Sequence, residues 1–178
     1  MSKLFHIFAL LSLFQTNCQE EFRRSGFNNS EKYVVYASII NTLVDSTRIE
    51  ILGIADSTFP DEWVSDPENL ELMSRWWADF EPDDFILEPD VVKRQPLHRD
   101  SIDVRFEIRS KDEVTHNALR KGNTATLTFS DLVTNLEGDE ALVYVRYSSS
   151  LGSGALWFWM GKSGREWRVL ERRLVMVS

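Results

Sequence analysis

One cysteine in 178 residues rules out an internal disulfide, so this chain is not stapled. Histidine is scarce as well, with three copies. Of these, His98 and His116 lie far apart and lack the spacing of metal ligands, so no metal and no other cofactor is expected. Five prolines and eight glycines are too few for a low-complexity or collagen-like chain. Positive charge is in deficit, 20 Lys and Arg against 28 Asp and Glu for a net −8, which argues against a nucleic-acid partner. No apolar run approaches the roughly 20 residues needed to span a bilayer. The one Gly-Ser-Gly stretch, Gly152-Ser153-Gly154, runs from one strand-like segment into another. A nucleophile elbow or a phosphate loop needs a helix after its glycines, so a hairpin connection is the reading here.

What is present is the material of one folded domain. Hydrophobic residues make up 43% and charged residues 27%, and six Trp with eleven Phe exclude a disordered chain. A body of this length buries roughly 70% of the surface its unfolded chain exposes. Residues 1–18 read as a signal peptide, with Lys3 before an apolar run over residues 4–14. Cys18 follows that run where a lipoprotein carries its acylated cysteine, although Gln15 and Asn17 replace the usual flanking residues. Ordinary cleavage near Asn17 or Cys18 is the alternative. Residues 19–30 form a polar tether, and residues 31–178 one α+β domain.

Within that domain the spacing predicts about three helices packed on a mostly antiparallel sheet. Tyr33, Ala37, Ile40 and Val44 give one helix its buried face, with Ser30 as its cap. Pro67 and Glu68 open a second, with Leu70, Met73, Trp77 and Phe80 on one side and Pro82 as its stop. A capping box, Ser110-x-x-Glu113, starts a third that ends before Gly122. Residues 49–54 read as a strand, and residues 102–109 alternate without a slip as a half-buried antiparallel strand. Residues 124–130 form another strand, and residues 141–178 close the domain as a three-strand meander.

The segment from residue 124 to 178 resembles a family of small uncharacterised exported bacterial proteins, Bacteroidota-type putative lipoproteins. The resemblance is carried by Thr128-Phe129-Ser130, the strand from Ala141 to Val145, the Gly/Ser loop ending at Gly154 and the strand holding Trp157. The Gly164 to Trp167 turn and the terminal Met176-Val177-Ser178 complete it, where relatives often end in Trp-Ile-Ser. It implies a fold and an exported, membrane-anchored location at the periplasm or cell surface; a secreted soluble form is the alternative. It implies no activity. The helix-first, meander-last order is also similar to NTF2-like folds, by analogy.

Two function classes follow. The first is a non-enzymatic, exported, lipid-anchored domain that binds a ligand or an envelope partner. Trp157 and Trp159 share one face of a strand and, with Trp76, are its candidate ligand-contact residues; a core role is the competing reading for the pair. The second is a glycan-directed hydrolase using loop carboxylates from Asp61-Glu62, Glu81 with Asp83-Asp84, or Glu137 with Asp139-Glu140. A purely structural or inhibitory module working by protein contact is the remaining alternative. No residue stands out as catalytic.

Overall fold

The computed structural model describes residues 29–47, 49–58, 67–85, 95–114, 124–150 and 152–177. The signal peptide, residues 19–28 of the tether, Cys18, Asp61, Glu62 and His116 lie outside them, while Asn29 and Ser30, expected as the end of the tether, belong to the first helix. Helix α1 spans Asn29–Thr47, so Ser30 sits inside it rather than capping it. Strand β1 is Ile51–Ile54, and helix α2 is Pro67–Trp76. The remaining strands are β2, Glu107–Ser110; β3, Thr124–Phe129; β4, Val133–Thr134; β5, Glu140–Ser149; β6, Gly152–Ser163; and β7, Glu166–Val177. All seven strands join one mixed sheet in the order β2-β1-β3-β5-β6-β7, with β4 beside β5. The chain is therefore an α+β domain with two α-helices among the described residues.

The C-terminal meander forms as its alternation and turn residues dictate. β5, β6 and β7 pair antiparallel, and Gly164 turns the β6–β7 hairpin at a φ of 66° that an L side chain rarely adopts. The other edge corrects the antiparallel expectation. β1 pairs in parallel with both β2 and β3. Long connections carry the chain back to the starting end of the sheet before each of those partners forms, so the strands run the same way. The stretch from Ile102 to Ser110 keeps its alternating burial, yet only its last four residues pair, and they pair in parallel.

The third helix is also corrected. Glu113 does accept the Ser110 N–H at 3.0 Å, as a capping box requires. The turn it opens is a single 3-10 turn, Lys111–Glu113, and Val114 is already extended. A hydroxyl and carboxylate at the right spacing stabilise a helical start, and the rest of the expected helix, residues 115–121, lies outside the described residues.

Two hydrophobic clusters lie on opposite faces of the sheet. On the first, Tyr36, Ile39 and Ile40 of α1 pack against Leu52, Leu127, Phe129, Val143 and Phe158. On the second, Leu70, Met73 and Trp77, with Phe80 beyond the end of α2, cover Leu142, Tyr144, Trp157 and Trp159. A buried polar knot ties α1 to the junction of β3 and β4. The Tyr36 hydroxyl donates to the Ser130 carbonyl at 2.8 Å, and the Tyr144 N–H donates to Ser130 Oγ at 2.9 Å. Lys32 pairs with Asp131 at 2.6 Å. Burial first, and then the Asp131 charge, push the Tyr36 phenol well above its ordinary value, so it stays a neutral donor.

Candidate functional site

The aromatic candidates sort by burial. Trp157 and Trp159 point into the second cluster, 1% and 6% exposed. Trp159 stacks on Trp77 with centroids 5.8 Å apart and meets Phe80 edge-on at 5.5 Å, while Trp157 lies 5.1 Å from Tyr144. Their place beneath α2 is that of core side chains. Trp76, one step off the stripe of α2, is half-buried, and the Arg173 guanidinium sits over its ring at 5.4 Å.

The loop carboxylates come together in part. Asn135 receives the N–H groups of Asp139 and Glu140 on its Oδ1, both at 3.0 Å, and donates to Asp139 Oδ1 at 2.7 Å. That holds the acidic turn before β5. The Leu136 N–H donates to the Asp84 carbonyl at 3.0 Å, which brings the 3-10 turn Pro82–Asp84 alongside. Glu140 then accepts the Trp159 indole N–H at 2.9 Å. Burial is the main force raising the Glu140 carboxyl above its ordinary range; the Trp159 bond opposes it, and the charges of Asp139, Asp84 and Glu137 add to it. Glu81 and Asp83 are exposed. Among the described residues no three His, Cys, Asp or Glu side chains converge as metal ligands.

A raised carboxyl pKa has a defined sign in stability. The folded chain holds the Glu140 proton more tightly than the unfolded chain does, so stability falls as pH rises from the ordinary carboxylate value through the raised one. Glu140→Gln keeps an acceptor for Trp159 and removes the ionisation. Urea unfolding followed across mildly acidic pH should show a shallower pH dependence in the variant. Identical slopes in the two proteins would assign the pH dependence to other groups.

A second feature lies on the α1 face. The helix crosses the β6–β7 hairpin, and the Ser38 hydroxyl donates to the Trp167 carbonyl at 2.9 Å. Lys162 pairs with Glu31 at 2.7 Å and lies 5.7 Å from the Trp167 ring centroid. Beside these contacts an open groove of about 410 Å³ runs between Val34, Ala37, Asn41 and Thr42 of the helix and Arg165 and Trp167 of the hairpin. Val34 is exposed at its rim, and Asn41 Oδ1 is buried behind the helix wall of the groove without a hydrogen-bond partner. Asn41 was not legible as a site residue. It stands between Ile40 and Thr42 and reads as a solvated helix position until the β6–β7 turn is laid over it.

The class this geometry defines is an α+β domain whose mixed sheet carries a helix-covered cluster on each face. Compared with known proteins, the chain matches no family model, no curated protein and no solved structure.

Proposed function

We propose that this chain is a non-enzymatic, exported, lipid-anchored domain that binds its ligand or envelope partner in the groove between α1 and the β6–β7 hairpin. The observation that supports the reading is a groove of ligand size with Asn41 in its helix wall, whose Oδ1 is buried and unpaired just behind the surface. A buried acceptor left unmade costs about 1–3 kcal/mol, a cost removed when the Asn41 side chain turns outward to accept a ligand N–H or O–H. Val34, Ala37 and Trp167 give that ligand an apolar wall. The resemblance to exported lipoproteins and the place of Cys18 support the anchor.

Asn41→Leu, nearly isosteric, separates binding from folding. The variant should hold its stability or gain about 1 kcal/mol in urea unfolding, since the unpaired acceptor is gone. In a thermal-shift panel of saccharides and short peptides, compounds that stabilise the native chain should leave Asn41→Leu unmoved. A clear stability loss, or a panel in which every active compound shifts both proteins equally, removes this groove as the site. For the anchor, fatty-acid labelling of expressing cells should mark the native chain and spare Cys18→Ser. A native chain without label refutes it.

A further inference from the structure

On the face of the sheet opposite that groove, we propose a second site, which holds a tetrahedral oxyanion: the phosphate or sulfate group of a small ligand. β3 and β5 run antiparallel there, with Thr126 opposite Ser148 and Thr128 opposite Arg146. Opposed side chains of such a pair share a face about 5 Å apart, and the next pair along follows at about 7 Å. Ala125, Leu127 and Phe129 enter the first cluster, so these four polar residues lie together on the other face, beyond Tyr144. They enclose a basin of about 210 Å³, completed by Lys111 and Tyr147. The basin has room for one oxyanion together with part of the group that carries it.

The chemistry fits the dimensions. Lys111 reaches over from the 3-10 turn, and its Nζ donates to Thr128 Oγ1 at 3.1 Å. Because that hydroxyl accepts from lysine, its own hydrogen is left to donate into the basin. Arg146 rests on the Tyr144 ring, its guanidinium carbon 5.8 Å from the centroid, which holds the fork beside the threonines. Thr126 is buried at the floor, where a hydrogen bond to an anion is stronger than in open water. Among the described residues no carboxylate lines the basin, in a chain whose acidic residues outnumber its basic ones by eight. Two cations and three hydroxyls around a pocket of this volume complement the charge and several oxygens of a phosphate or sulfate better than a flat carboxylate.

The test is a titration of the full chain with sodium phosphate and with sodium sulfate, at ionic strength held constant with sodium chloride. It is followed by calorimetry and by amide chemical shifts. Saturable binding is expected, with shifts centred on residues 126–128 and 146–148. Lys111→Gln and Arg146→Gln should each weaken it about tenfold, while Arg75→Gln, an exposed arginine of α2 outside both the basin and the groove, should not. Tighter phosphate, strengthening as inorganic phosphate gains its second charge near neutral pH, assigns a phosphate ester; tighter, pH-independent sulfate assigns a sulfate ester. A response that does not saturate, or that neither basin variant changes, overturns the proposal.

Discussion

Trp157→Ala should cost about 3–5 kcal/mol of folding stability, the largest single effect expected from this chain. The indole is the largest side chain among those that are fully buried, at 1% exposure. It fills the second cluster between Tyr144 on β5 and Ala155 on its own strand. Truncation removes the transfer energy of the ring and leaves a cavity whose walls are a β-sheet, which collapses poorly onto empty space. Against a typical total of about 5–15 kcal/mol, the loss leaves a marginal domain. Urea unfolding monitored by far-UV circular dichroism would read it. Trp76→Ala is the internal control: its ring is half-buried, so it should cost clearly less than Trp157→Ala. A Trp157→Ala loss no larger than that of Trp76→Ala would mean that the indole is not a packing group.

Asp131→Ala should be the second severe change, at about 3 kcal/mol. Lys32 keeps only 10% of its side chain exposed, so removing Asp131 leaves an ammonium group nearly buried and without its 2.6 Å partner. The Leu132 N–H, which donates to Asp131 Oδ1 at 3.1 Å, loses its acceptor at the same time. What the variant measures is the cost of the orphaned charge rather than the worth of the pair. The double change Lys32→Met with Asp131→Ala removes both ions and should recover most of the loss in the same unfolding assay. If the double variant is as unstable as Asp131→Ala alone, the knot acts through the β3–β4 backbone and not through charge.

How far the fold could be read from residues alone depended on where each element finds its partners. The start of α2 was legible because Pro67, Glu68, Leu70 and Met73 act within one helix length, but the helix ends at Trp76, short of the expected stop at Pro82. The β5–β7 meander was legible because neighbouring strands pair through short turns at Gly152 and Gly164. The parallel pairing of β1 was not: Ile51 meets Glu107 and Thr124, both more than fifty residues away, and alternating side chains look the same in either strand direction. Ser110 and Glu113 announced a capped turn correctly, because a cap acts locally, whereas the break at Val114 follows from no local signal.

The candidate sites show the same division. That β6 is apolar on both faces was plain from Leu156 to Met160. Only the placement of α2 over Trp157 and Trp159 decided that the second face is covered. Sequence also placed acids near residues 84 and 139, and the Phe85–Asn135 bridge brought them together beside Trp159. Asn41 and the Lys111–Thr128–Arg146 basin gave no local signal. Their character comes from what lies across from them: a hairpin turn in one case, two strands and a 3-10 turn in the other. Sequence by itself thus determined α1, the start of α2, the extended runs of the meander and the turn at Gly164, because those choices are settled by side-chain period and φ preference within a few residues. Strand direction, the second buried face and both pockets were decided by tertiary structure, since each depends on contacts between residues far apart along the chain.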